Sequence, residues 1–540
     1  MHSHHDADVV VIGAGVGGLT AAAFLQSMGR HCVVVDRHSV VGGNVSAFTH
    51  RGFEFDVGMH YVGDCGPGGM VADLLTMLGL EDRLRWRPLD PDCFDRYHFP
   101  DATYEIPADL EVYRERLTSW FPREREGIDS FCDFAAAADD VVRSTLAGRV
   151  SEHMARLLAH RDSTMGDLFD GWAMSPRLRA VLTAQNLIYG VAPSRVSALF
   201  HGLAVMHYMN GAYYAEGGGQ HLTDTLARCI RDRGGEVILQ TPVESVIVED
   251  GAARGVRLRP PSPLRRRGVP TEIRAPVVLS NADLKRTVLG LVGAEHFPAG
   301  YVRGIEALHM AAPMMVTYLV LDRDLAAEGY TNSNAFVVAG DDLDAEYEAR
   351  ARNEMVDPTV FMSFASIKDP TNERLCRPGQ TNLQAMVLAP SDHGFWGLDA
   401  GPLGGERYRR NPEYTARKQQ LVDMVLDRAE VVVPGLRDCI VHVEGSTPVT
   451  HERFVHSSAG TSYGFEITPE QILDRRPGPV TPLPGLYLTG QGTTMGHGIM
   501  ACMAGGAASA GMITGEPLLQ QATEGHRLAA GDADAAAAAY

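Results

Sequence analysis

The sequence predicts an α/β protein in which a parallel nucleotide-binding sheet, begun at the start of the chain, is interleaved with an α+β second domain. Three observations carry this. A β-branched run, "VVVI", feeds a glycine turn and then an alanine-rich helix, the order of a nucleotide-binding βαβ unit. A second glycine turn, residues 217–219, opens another helix that the glycines at 234–235 close before strands follow. After Pro484 the chain again reads strand, glycine loop and small-residue helix. At 540 residues it exceeds what one simple core holds, so two interleaved domains are expected.

Taken in order, "DVVVIGAGVGGLTAAAFLQSMGRHCVVVDRHSVVGG" supplies the first unit. Gly13 makes the tight turn, Gly15 lets a pyrophosphate approach the backbone, and Gly18 lets helix and strand pack closely. The helix N-terminus then offers unpaired N–H groups to the phosphates. The second strand ends in Asp36, placed to accept hydrogen bonds from the adenosine ribose. Ala22, Leu25, Gly29, Val34, Gly42 and Gly43 extend the match to the longer fingerprint of the glutathione-reductase-type Rossmann FAD-binding domain. Asp36 stands where glutamate is commoner, and Cys32 stands at a usual valine. Asn44 replaces the arginine that often follows the two glycines, which predicts a less cationic pyrophosphate site. No second GxGxxG follows a strand, so the expected cofactor is FAD without a separate NAD(P)H domain. Ala14 and Arg37 flank these contacts, and Met59, Val243, Gly490, Gln491, Gly498 and Ile499 are the later positions expected to meet the cofactor.

The remaining chain divides accordingly. Residues 1–6 are expected to be a disordered arm, whose histidines read as solvated rather than metal-binding, and no metal site is expected. Residues 7–66, 213–290 and 443–518 are assigned to the FAD domain. Residues 67–212, largely helical from about Ala108, form a cap, and 291–442, with runs such as "MMVTYLVL", add the sheet of a substrate domain. The Pro-rich stretch holding Arg265, Arg266 and Arg267 reads as a solvated hairpin tip, and residues 519–540 as a disordered tail.

Composition excludes several classes. The net charge of -19 would repel a phosphate backbone, so no nucleic-acid partner is expected. Eight cysteines with no CxxC pair argue against a zinc ribbon or redox dithiol and for a reducing compartment. No apolar run nears the roughly 18 residues of a membrane span, and no signal-peptide core precedes the first strand. A cytoplasmic protein is expected, soluble or in peripheral contact with a membrane.

Beyond the fingerprint, the motifs "FEFDVGMHYVG", "YYAEGGGQHL", "SIKDPTNE", "STPVTHERF", "SYGFE" and "GLYLTGQGTTMGHGI" resemble the flavin family of phytoene desaturases, carotenoid isomerases and retinol saturases, the saturase branch above all. The resemblance spans roughly residues 7–516, and one departure is Gln491, where related folds often carry aspartate. It implies a long apolar polyene or isoprenoid substrate and an external electron donor or acceptor. Two stretches, 199–214 and 309–319 with Leu319 closing it, would suit such a tunnel, ordinary core being the alternative.

The resemblance also implies that His60 and Tyr61 approach the flavin ring, while Gly496, His497 and Gly498 start a helix aimed at its pyrimidine edge. Saturating an alkene needs a hydride from flavin N5 and a proton for the neighbouring carbon. His60, Tyr61 and His497 are the candidate donors, with Tyr463 and Glu466 behind them; a structural role for His60 stays open. The same pocket could instead serve a desaturase or a cis-trans isomerase. An amine oxidase would need a lysine, of which Lys368 is the candidate. A flavin-free isoprenoid carrier is the reading from another class, against which the intact glycines argue.

Overall fold

The five-stranded parallel sheet that anchors the molecule draws on four separate stretches of chain. Its order is Glu236–Ile238, Cys32–Val35, Val9–Ile12, Val277–Ser280 and Leu486–Leu488. Val9 to Ile12 and Cys32 to Val35 are buried on both faces, which explains their unbroken apolar runs. The computed structural model describes residues 4–259 and 271–528; the Arg265–Arg267 run lies outside them.

Helix Val16–Ser27 packs on this sheet between helices Gly218–Asp232 and Ile499–Thr514. Small residues set that approach, since a Cβ on Gly506 would come within 2.5 Å of the Gly17 carbonyl oxygen. A four-stranded sheet flanks it, with strands His4–Asp6, Glu272–Arg274, Ala252–Leu258 and Val243–Glu249. The first of these corrects the expected arm: residues 4–6 pair in parallel with Glu272–Arg274. The start of the expected tail is corrected likewise, because Leu518–Thr523 is a helix with Leu518 and Ala522 buried; residues 1–3 of the arm and 529–540 of the tail lie outside the described residues.

A seven-stranded sheet forms the second layer system, in the order Ile440–Ser446, Met314–Leu321, Thr381–Leu388, Val360–Ser363, Asn334–Val337, Asp95–His98 and Thr103–Ile106. Two differences from expectation follow. Strand Ile440–Ser446 runs across the boundary placed at residue 443, and two strands come from within the stretch read as a cap. Helix Pro412–Ala429 covers one face through Leu421, Val422, Val425 and Leu426. The other face looks toward the helices Arg125–Leu146 and Ala198–Met209, and a long cavity lies between.

Candidate active site

The cavity, of about 1960 Å³, begins at the glycine turn and ends among the helices of the second domain. At its first end, Gly13 has φ +98, and a Cβ on Gly18 would stand 2.4 Å from the Gly13 carbonyl oxygen. Gly15 caps helix Val16–Ser27 with no side-chain hydrogen bond, so the first-turn amides are left for a ligand. Gly42 bonds back to Ala14, setting the double glycine against this turn. Asp36 accepts from the backbone N–H groups of Ala14 and His38, each at 2.7 Å, which orients its carboxylate and leaves lone pairs free for hydroxyls.

Gly13, Gly15, Asp36, Arg37, Gly42, Gly43, Asn44, Val243, Gln491, Gly498 and Ile499 all lie on the cavity wall. Ala14, Gly18 and Gly490 stand behind it as packing and backbone-bonding positions. Met59 does not belong to this wall: it is 1% exposed and packs under Gly219, where a Cβ would lie 3.0 Å from its own Cβ. Arg37 and Arg286 line the cavity, and together with Arg453 they crowd His456, whose imidazole burial and these charges push down to about 4. Glycine cradles, an oriented carboxylate and clustered guanidinium groups fit a dinucleotide with a diphosphate centre.

The same cavity holds the candidate proton donors, and burial separates them. The His60 imidazole is pushed down to about 3 by burial and by Lys368, so it is neutral, and its Nδ1 has no partner. His497 is likewise pushed to about 3 by burial and Arg476, with both ring nitrogens unpartnered between Phe200 and Tyr463. Tyr61 stacks on Tyr208 at 4.4 Å and donates its hydroxyl to Asp95 Oδ2 at 3.2 Å. Tyr463 reaches the wall too but bonds the Met314 sulfur at 3.1 Å, whereas Glu466 turns away to pair with Arg195 at 2.6 Å.

Behind Tyr61 lies a buried network that sequence reading missed. Asp95, 0% exposed, accepts from Gln185 and from Asn334, each at 2.8 Å. The Asn334 oxygen accepts from the Lys368 ammonium, which also donates to the His60 carbonyl and Ser363, each at 2.8 Å. Burial moves both charged ends toward neutrality, Asp95 up to about 6 and Lys368 down to about 7. Asn334 and Asp95 are register partners in adjacent parallel strands, a pairing invisible at a separation of more than two hundred residues. The one signal available was that Lys368 is one of only three lysines, since Asp95 opens the polar strand Asp95–His98, where a charged residue is unremarkable. Lys368 sits off the cavity wall with its three protons engaged, so it does not face a ligand.

Around these donors the walls are apolar. Leu199, Phe200, Leu203 and Ala204 face in from helix Ala198–Met209, and Met314, Val316 and Met386 face in from the sheet. Strand alternation corrects one expectation here: Leu319 points to the opposite face and belongs to the core under helix Pro412–Ala429.

The profile of the family described as flavin containing amine oxidoreductase matches residues 16–311. The chain belongs to this family. It is an FAD-dependent oxidoreductase, and its cradle fits that cofactor. The chain is 27% identical to all-trans-retinol 13,14-reductase of Danio rerio, over 96% of this chain and 86% of that protein. It is 25% identical to 4,4'-diapophytoene desaturase of Methylomonas sp., covering 94% and 95%. Among solved structures, cyclohexylamine oxidase from Brevibacterium oxydans superposes with a TM-score of 0.59 at 16% identity, covering 94% of this chain and all of that one. The resemblance to the family of desaturases, isomerases and saturases is therefore borne out, as is the fold class.

Proposed function

We propose that this flavoenzyme saturates a carbon–carbon double bond of a long apolar polyene or isoprenoid. The observation that carries the reading is one continuous cavity whose wall holds the dinucleotide cradle, apolar side chains and the Tyr61 hydroxyl, which is backed by a buried carboxyl group. The names of the relatives, a retinol reductase and a carotenoid desaturase, support the substrate class. Bound FAD supplies hydride chemistry at this site.

The chain's own residues do the rest. Leu199, Phe200, Leu203 and Met386 exclude water and hold a rod-like chain by dispersion. Tyr61 is the proton source. With Asp95 protonated, the carboxyl donates to the phenol oxygen and frees the Tyr61 proton for the cavity; the carboxyl proton then replaces the one given up. His60 and His497, held neutral, shape and polarise the wall without supplying protons. The cavity wall reaches the surface at Leu158, 52% exposed, and Arg149, which supports entry of substrate there.

Product mass tests this. Enzyme reduced with dithionite and given retinol, a carotene or a polyenoic acid should return product heavier by two hydrogens. Product lighter by two hydrogens from oxidised enzyme would instead establish a desaturase, the second reading that the Methylomonas relative favours.

A further inference from the structure

His451, in helix Pro448–Val455, lines the cavity beside Asn44 and Gly43. Its Nε2 lies 2.9 Å from the Asn44 side-chain oxygen, and its Nδ1 lies 3.0 Å from the Gly460 carbonyl oxygen. Both neighbours are acceptors, and a neutral imidazole has one N–H. Turning the Asn44 amide over does not help, because its nitrogen already donates to the Ser462 carbonyl at 3.1 Å and approaches Gln491 Oε1 at 3.4 Å. The turned amide would set its oxygen against the Ser462 carbonyl. Every contact is satisfied only when both ring nitrogens carry protons.

An imidazolium here needs an anion, and no neighbouring carboxylate provides it. On its own helix, Glu452 accepts from His393 at 2.7 Å and lies 3.8 Å from Arg286, while Arg453 is exposed. From the loop after the helix come Ser457, 3.4 Å from Nδ1, and the neutral His456. Asp283 is bonded to Ser458, Asp36 to the amides of Ala14 and His38, and Arg37 to the carbonyls of Phe454 and Arg453.

We infer that His451 is the cofactor's titratable cation: it takes up a proton when the FAD diphosphate occupies the cradle, filling the role of the arginine that Asn44 replaces. This rests on the cofactor alone and holds whichever reaction the enzyme catalyses. Burial pushes the His451 imidazole below its ordinary value without a ligand. The bound diphosphate opposes that, so one proton is gained on binding. Affinity for FAD is then highest at low pH and falls as the pH rises through the window between the free and bound values, by up to about tenfold per pH unit.

The test is FAD release from diluted holoenzyme, read by the fluorescence of free flavin across pH. Wild type is expected to hold FAD at least about fivefold more tightly at about pH 6 than at about pH 8. His451→Gln should bind more weakly with a flat profile, His451→Arg should bind tightly with a flat profile, and His456→Gln should keep the wild-type slope. A flat wild-type profile overturns the inference without any variant. So does a His451→Gln protein that keeps the slope, or a His456→Gln protein that loses it.

Discussion

Replacing Tyr61 by phenylalanine removes one oxygen from a fully packed ring and leaves its stacking on Tyr208 at 4.4 Å intact. The lost hydroxyl is one of three donors to Asp95, the others being Gln185 and Asn334. Its structural cost is therefore about 1 to 2 kcal/mol, the worth of one buried hydrogen bond to a carboxyl group. Its chemical cost is larger, because a positioned general acid typically contributes 10²–10⁴-fold, or roughly 3 to 5 kcal/mol of barrier. Anaerobic stopped-flow should thus show normal FAD content, normal reduction by dithionite and reoxidation by polyene slowed at least about a hundredfold. His60→Gln in the same assay should slow it far less. A Tyr61→Phe enzyme reoxidised within about threefold of wild type would refute the proton-source assignment.

Three further outcomes follow from the same geometry. Asp95 has a folded-state value raised to about 6, so its contribution to stability is full below about pH 4 and is lost as the pH rises through 6, up to about 3 kcal/mol in all; thermal unfolding of Asp95→Asn should lack that loss. Gly18→Ala drives a Cβ to within 2.4 Å of the Gly13 carbonyl oxygen, and the purified protein should be folded by circular dichroism but colourless. Leu203→Trp fills part of the apolar wall, so it should keep FAD while losing turnover of long polyenes at least about tenfold more than of short ones.

How much of this was legible in the sequence depended on range. The glycine fingerprint, Asp36 and the strand at Val9 to Ile12 are local patterns, and the parallel sheet followed from them because turn, helix dipole and ribose contact all sit within one βαβ unit. Tyr61 was legible as a candidate because it follows the fingerprint closely. Its partners were not: Asp95, Gln185, Asn334 and Lys368 meet only through strand pairing and a helical cap, and none carries a motif. Met59 and Leu319 failed for the opposite reason, since chain position alone does not say which face of a turn or strand looks into a cavity. Arg286 and His451 were not legible as neighbours of the cradle because they approach from segments remote from Asn44.

The central claim, that this cavity delivers hydride and proton to a polyene, meets its most direct test in a single turnover. Enzyme reduced stoichiometrically under anaerobic conditions is mixed with one equivalent of retinol or a carotene while the flavin spectrum is followed. The account predicts that the yellow oxidised spectrum returns in step with loss of one double bond from the substrate. A spectrum that stays bleached beside unreacted polyene, or returns with the polyene unchanged in mass, would contradict it.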